Sequence, residues 1–264
     1  MKARRYWLAG AALCLATTCH AHEFWLQPQN FRPAVGEAAE IALLVGHAEQ
    51  RQRSPIALRR IQRFAAVGPA GKAVDLRGAL QSGGAQIDGM LAGSHVLLLE
   101  TDTRAQSHLP AERFNDHLHI ERLTPALAER ERRGQSGAEG SERYGRCAKT
   151  ILQVGGNATA NATLPAGLAL EIMPAVNPYA RPDSLPVQVL YRGKPLARAT
   201  IKFTDLAHDE EPAEVRLSDH EGRATFSMPK TGHWLLNVAW TRVLPPGSET
   251  NFETIFSSLS FGLD

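Results

Sequence analysis

Residues 219–240 read DHEGRATFSMPKTGHWLLNVAW. Two strand-like segments flank a turn in this stretch: Ala224 and Phe226 alternate with polar residues, and residues 229–232 (PKTG) lead into the apolar run 234–240. Alternation of this kind is typical of a half-buried strand, and proline with glycine is typical of a turn. We therefore predict a β-hairpin here, within an antiparallel β fold.

Similar segments fill most of the carboxy-terminal part of the chain. After Pro165, short apolar stretches recur between turn residues. They comprise residues 168–172, 187–191, 199–203 and 254–261. This spacing predicts an immunoglobulin-like or transthyretin-like β-sandwich over residues 166–264.

The amino-terminal part also has strand-length apolar stretches, such as residues 41–45 and 96–99, bounded by glycine and proline. Between residues 110 and 154 the apolar residues recur instead at helical spacing, and Thr124 with Pro125 resembles a capped helix start with proline in the first turn. We predict a mainly β protein of two β-sandwich domains. The first covers residues 22–165 and carries a helical insertion at about 108–150, and the second covers residues 166–264.

The first 21 residues have the features of a secretion signal. Three basic residues precede an apolar run over 6–16, and residues 19–21 form a small-residue exit. The run is shorter than the roughly 20 apolar residues that a membrane-spanning helix requires. We predict a signal peptide over 1–21, a periplasmic protein without a transmembrane segment, and a mature chain that begins at His22.

Charge and cysteine content exclude some classes of partner. The chain has 29 Lys and Arg against 27 Asp and Glu, and removal of residues 1–21 leaves 26 basic side chains and one cysteine, Cys147. A nearly neutral mature protein has no electrostatic reason to bind nucleic acid or anionic lipid. A lone cysteine cannot form an intrachain disulfide, so we expect packing to provide the stability.

A mature chain that begins with histidine carries a metal-chelating group at its first residue. The free amine and the ring of His22 titrate near about pH 8 and 6.5, so both nitrogens are available near neutral pH. Binding through the amine and Nδ1 closes a six-membered ring, and nitrogen-rich sites favour Cu(II) or Ni(II) over Mg or Ca. We therefore predict His22 as a metal ligand.

His47 and His95 are candidate further ligands. His47 follows the second strand, and pairing with the opening strand would bring it near residue 22; His95 precedes the run 96–99 and would converge on the same edge. The alternative is that both are hydrogen-bonding residues at strand ends, and that His22 is merely what the signal peptidase leaves. Glu23 is a weaker candidate, because alternate residues of a strand face opposite sides.

Asp116, His117 and His119 form the densest local cluster of potential ligands. On a helix, residues 117 and 119 point about 200° apart and cannot share one ion. We interpret this cluster as a solvated surface, and the polar turn 208–211 likewise.

Enzyme motifs are missing. Residues 22–26 (HEFWL) begin like a zincin helix but lack the second histidine, and no nucleophile elbow is present. We expect no catalytic activity.

Several motifs together resemble one family. They are residues 22–28 (HEFWLQP), 45–47 (VGH), 142–144 (ERY) and 177–179 (NPY). The combination is similar to the DUF4198 family, exported bacterial proteins grouped with periplasmic nickel and cobalt uptake components of the NikM type. The resemblance covers nearly the whole mature chain and implies a β-rich periplasmic protein that handles transition metals. His22 and His47 occupy positions of the pattern.

We expect a periplasmic binding or accessory protein that captures nickel, cobalt or copper and passes the ion to a membrane permease or TonB-type receptor. The alternative is a non-metal module that docks an envelope protein or glycan through its immunoglobulin-like half. Fold alone does not separate these functions, since one fold hosts many.

Overall fold

The computed structural model describes residues 23–47 and 50–263 of the chain. The predicted signal peptide, 1–21, and His22 lie outside the described residues. No helix in the described ranges is long and apolar enough to cross a membrane.

Strands make up most of the regular structure, together with two α-helices, α1 (Ala111–Ile120) and α2 (Thr124–Arg132). The strands are β1 (Phe24–Pro28), β2 (Ala39–Val45), β3 (Gln52–Arg53), β4 (Ile61–Val67), β5 (Ala73–Asp75), β6 (Leu80–Gln81), β7 (Gly84–Ile87), β8 (Gly93–Thr101), β9 (Ala105–Leu109), β10 (Gly140–Val154), β11 (Leu170–Pro174), β12 (Ser184–Tyr191), β13 (Lys194–Pro195), β14 (Thr200–Asp205), β15 (Glu214–Leu217), β16 (Arg223–Ser227), β17 (His233–Val243) and β18 (Phe252–Gly262).

The described strands form three sheets. The first runs β1-β2-β7-β6, with β3 paired to β2; the second runs β15-β14-β17-β18-β10-β8-β4-β5, with β9 paired to β10; the third runs β11-β12-β13, with β16 paired to β12. Within the second sheet, β10 pairs in parallel with β18. The predicted division at residue 165 therefore separates two stretches of chain that share one sheet.

The second sheet is covered on both faces where β8 and β10 lie. In β8, Val96 and Leu98 belong to the core that includes the third sheet, whereas Leu97 and Leu99 belong to the core that includes the first. Successive side chains of a strand point to opposite faces, so an unbroken apolar run is what a strand between two cores requires. The predicted mainly β, sandwich architecture is confirmed.

The helices occupy less of the chain than the predicted insertion at about 108–150. Pro125 lies in the first turn of α2 as predicted, but the cap position is Leu123 and not Thr124. Residues 140–154 form β10 and not a helix. Because β10 is buried on both faces, its apolar residues do not alternate with polar ones, and periodicity cannot distinguish such a run from a helix.

The predicted hairpin in residues 219–240 is wrong, although both of its strands exist. β16 pairs with β12 in the third sheet, and β17 pairs with β14 and β18 in the second. Residues 228–232 therefore cross between sheets instead of closing a two-stranded turn. Across the interior, Phe226 of β16 and Phe203 of β14 lie with ring centroids 5.3 Å apart.

The helix α1 packs against the second sheet beside β17 and β18. Phe114 and Leu118, four residues apart on one helix face, share a core with Ala239 and Phe252. Gly140 leaves room for this packing, because a Cβ at that position would lie 2.1 Å from the Phe114 ring. The contact holds α1 close against the sheet.

Candidate metal centre

A cavity of about 540 Å³ lies where β1 begins. Its walls come from the start of β1, the end of β2, the last turn of α1, and β14 with the loop that follows it. Imidazole and carboxylate side chains from all these segments except β14 line it. The cavity therefore collects the side-chain types that bind divalent cations.

The first two strands bring Glu23 and His47 to the same end of their sheet. They pair antiparallel with Phe24 opposite Val45, and the Gly46 N–H donates to the Glu23 carbonyl at 3.0 Å. Gly46 has a φ of 112°, and a Cβ there would lie 2.5 Å from the carbonyl oxygen of residue 50. Only glycine fits this turn, which presents His47 to the cavity.

The Glu23 carboxyl is partly buried at the cavity wall. Burial raises its pKa from 4.5 to about 7. The charge of Lys202 opposes the rise, while Glu121 and Asp209 add to it. No group in residues 24–47 or 50–263 donates a hydrogen bond to this carboxyl, so its charge is poorly compensated near neutral pH.

The end of α1 contributes His117, His119 and Glu121 to the cavity. We expected a solvated cluster, which is wrong for His117: it is 9% exposed, with Nε2 lying 3.0 Å from Oε1 of the buried Glu142. The alignment falls short of a regular hydrogen bond, but the 3.0 Å separation keeps the ring and the carboxylate in close electrostatic contact. Burial lowers the pKa of His117, but Glu142 outweighs that effect and leaves the pKa above its usual value.

Two basic side chains hold carboxylates at the cavity. Lys202 Nζ lies 3.4 Å from Glu121 Oε2, and Arg51 lies 2.5 Å from Asp209 Oδ2. Asp209, which we expected in a solvated turn, is 8% exposed. These cations reduce the negative charge of the cavity without removing it.

Thr204 shows a polar group in the cavity wall that is not satisfied by the protein. Its side chain is 2% exposed, and its hydroxyl has no hydrogen-bond partner in the described part of the chain. Buried polar atoms are nearly always hydrogen-bonded, so an orphan at a cavity wall indicates a ligand or water there.

His95 does not join this group. Its ring is 6% exposed, and Nε2 donates to the Leu91 carbonyl at 2.7 Å. In the sheet it pairs with Leu152, whereas the Phe24 ring lies beside Arg146, six residues earlier in β10. Six extended residues span about 20 Å. The structure gives His95 the hydrogen-bonding role of our alternative interpretation.

The described residues do not form a metal site by themselves. In residues 23–47 and 50–263, no three His, Cys, Asp or Glu side chains are grouped so that they could hold an ion. A metal site at the cavity would therefore need a ligand from outside the described residues. His22 is a candidate, because it directly precedes Glu23 in the sequence. Strand alternation predicted that Glu23 would face away from residue 22, but β1 begins only at Phe24. Glu121 and Lys202 carry no sequence signal, because long-range packing places them.

Comparison with known proteins gives one family and distant structural matches. The family described as "Domain of unknown function (DUF4198)" matches residues 19–242. A search of curated proteins finds no match. Among solved structures, the chain is similar to the D0-D1 domain of intimin (12% identity, TM-score 0.21, covering 91% of this chain and 97% of that one). It is also similar to murine CEACAM1b (11%, 0.20, 92% and 99%).

Proposed function

We propose that this chain, which belongs to the DUF4198 family, is a periplasmic protein that binds a divalent transition-metal ion through the start of its mature chain. Family resemblance favours nickel or cobalt, and nitrogen ligands favour nickel or copper. The observation that carries the proposal is one of position. Glu23, directly after His22 in sequence, lies beside the end of β2 in a cavity lined by imidazoles and carboxylates.

The proposed ligands are the amine and Nδ1 of His22, the imidazole of His47 and the carboxylate of Glu23. Burial penalises the bare Glu23 carboxylate, and a bound cation would remove that penalty. His119 and Glu121 line the same cavity and would add attraction for a cation. His95 is left out of the set because it lies elsewhere.

The ion is cargo in this proposal, and no catalytic residue is assigned. A periplasmic protein of this kind would pass its ion to a membrane permease or a TonB-type receptor. Holding the ion at the first residue of the chain suits transfer, since a chain terminus is easily released from a site.

Calorimetry with Ni²⁺, Co²⁺ and Cu²⁺ tests the proposal. The protein beginning at His22 is compared with one that carries an extra glycine before it, which moves the free amine away from the imidazole. We expect the extended protein to bind at least about tenfold more weakly, a loss of about 1.4 kcal/mol. His47→Ala should also weaken binding. His220→Ala, which changes an exposed histidine away from the cavity, serves as the control.

Equal affinity of the two amino termini would eliminate the terminal chelate. Failure of all three ions to bind would eliminate the metal function. Capture of an envelope protein or glycan that persists in chelator would then favour the non-metal docking module.

A further inference from the structure

A second cavity, of about 710 Å³, lies on the other side of the α1–α2 connection. It is a groove between that connection, the edge strand β15, the start of β14 and Trp240 of β17. Its volume is within the usual range for small-molecule sites, about 300–1,000 Å³. His119 and Arg122 line both this groove and the candidate metal cavity.

The charges that line the groove are all basic. They belong to Arg122, Arg198 and Arg216, and no Asp or Glu lines it in the described residues. Arg216 is paired with Glu214 at 2.6 Å. The guanidinium groups of Arg122 and Arg198 have no carboxylate or hydrogen-bond acceptor within the described ranges. Since the mature chain is nearly neutral, this is a local concentration of positive charge.

The backbones of Arg122 and Arg198 are held in an uncommon conformation. Their φ angles are 54° and 60°, a left-handed region that non-glycine residues seldom adopt. Each N–H is anchored, Arg122 to the His119 carbonyl and Arg198 to the Ser218 carbonyl, at 3.0 Å in both cases. The two arginines therefore start from fixed positions on opposite walls.

Between the arginines the groove presents apolar surface. Trp240 is half-buried there, and Leu217 is 64% exposed, among the most exposed large apolar side chains described. Guanidinium groups pair with carboxylate or phosphate through forked hydrogen bonds. The apolar surface favours a carbon skeleton over an inorganic ion, and two separated guanidinium groups favour more than one acidic group.

We infer that this groove binds a small organic anion with two or three carboxylates on a short carbon skeleton. The carboxylates pair with Arg122 and Arg198, and the skeleton lies over Trp240. The inference goes beyond the proposed metal binding and does not depend on it, because Arg122, Arg198 and Trp240 are not among the proposed metal ligands.

Titration calorimetry with tricarballylate, in metal-free buffer of low ionic strength, tests the inference. We expect wild-type protein to bind with a Kd of about 1 mM or tighter, weakening as salt is added. The double variant Arg122→Asn, Arg198→Asn should bind at least about tenfold more weakly. Asparagine tolerates the left-handed backbone, which keeps the turns intact. The control Arg59→Asn removes one exposed arginine away from the groove and should leave binding unchanged.

Three results would overturn the inference: absence of tricarballylate binding, equal binding by the double variant with an unchanged melting temperature, or equally tight binding of inorganic phosphate. The glycine-extended amino terminus separates the two proposals. It should lose metal affinity and keep tricarballylate affinity, whereas the single variant Arg198→Asn, at a residue that lines the groove and not the metal cavity, should keep its Ni²⁺ affinity to within about threefold.

Discussion

Two lysine–glutamate pairs in this protein, one buried and one partly buried, differ in how completely their polar atoms are satisfied. Lys149 Nζ and Glu171 Oε1 lie 2.9 Å apart, and both side chains are at most 2% exposed. The same carboxylate accepts from three backbone N–H groups of residues 166–168. Lys202 and Glu121, in contrast, lie 3.4 Å apart at the cavity wall.

The difference separates a structural charge pair from a charged binding cavity. At Lys149–Glu171 every carboxylate oxygen has donors, so the pair joins β10 to β11 and leaves nothing for a ligand. At the cavity, Glu23 lacks a donor among the described residues, and the Thr204 hydroxyl is an orphan. Unsatisfied polar groups reduce folding stability, and a ligand can satisfy them.

The largest change in stability is expected from breaking the Lys149–Glu171 pair, whose carboxylate oxygens all have donors. Glu171→Gln leaves the buried Lys149 ammonium without its counter-charge, which should lower the free energy of unfolding by about 3–5 kcal/mol. Urea unfolding monitored by circular dichroism measures the loss. Glu221→Gln removes a carboxylate from an exposed pair with Arg223 and serves as the control, with no measurable change expected. A loss below about 1 kcal/mol for Glu171→Gln would contradict a structural role for the pair.

At the cavity, removing a carboxylate should raise the free energy of unfolding instead of lowering it. The pKa of Glu23 rises from 4.5 in the unfolded chain to about 7 in the folded protein, so folding takes up a proton between these values. Stability of the metal-free protein therefore falls as pH rises across that window. Glu23→Gln removes this loss, and should stabilise the protein by about 1–3 kcal/mol at about pH 8, after discounting for partial exposure.

The measurement is urea unfolding of metal-free wild type and Glu23→Gln at about pH 4 and about pH 8, on either side of the window. The two proteins should be equally stable at the lower pH. A variant that is less stable than wild type at the higher pH would show that the Glu23 carboxylate is satisfied in the folded state. The Glu23 carboxylate would then be as well satisfied as the carboxylate of Glu171 in the Lys149–Glu171 pair.

Local sequence patterns predicted the parts of the fold that local physics decides. The run 96–99 and the glycine turn before His47 were recognisable, because strand burial and a positive φ leave direct marks on residue type. The partners of strands were not: β16 and β17 adjoin in sequence but belong to different sheets. Strand pairing depends on which cores are available, and that information is distributed along the whole chain.

The candidate site was predictable to the same extent. Pairing of β1 with β2 was predictable because the two segments are neighbours in the sequence, and it brings His47 to the end of the sheet where Glu23 lies. A role of His47 as a metal ligand stays a prediction. The position of His95 was not predictable. It pairs with Leu152 of β10, six residues from Arg146, which lies beside Phe24 at the start of β1. His117 appeared solvated because its partner, Glu142, is 25 residues away in the sequence and approaches through the packing of α1 on the sheet.

The smallest change in stability is expected at His117. This residue lines the cavity, as Glu23 does, but it has a buried counter-charge, Glu142, as Lys149 has Glu171. Its pKa in the folded state is above 6.5, so its contribution to stability is fully present below that value and is lost as pH rises through the folded-state pKa. The free energy of unfolding of wild type should therefore exceed that of His117→Gln by about 1 kcal/mol more at about pH 5.5 than at about pH 8.5. His220→Gln, at an exposed position, should show no such pH dependence in the same urea titrations. A difference that is constant with pH would show that folding leaves the pKa of His117 unchanged, and a smaller difference at about pH 5.5 would show that the ring stays neutral in the folded protein. Either result would contradict an ion pair with Glu142.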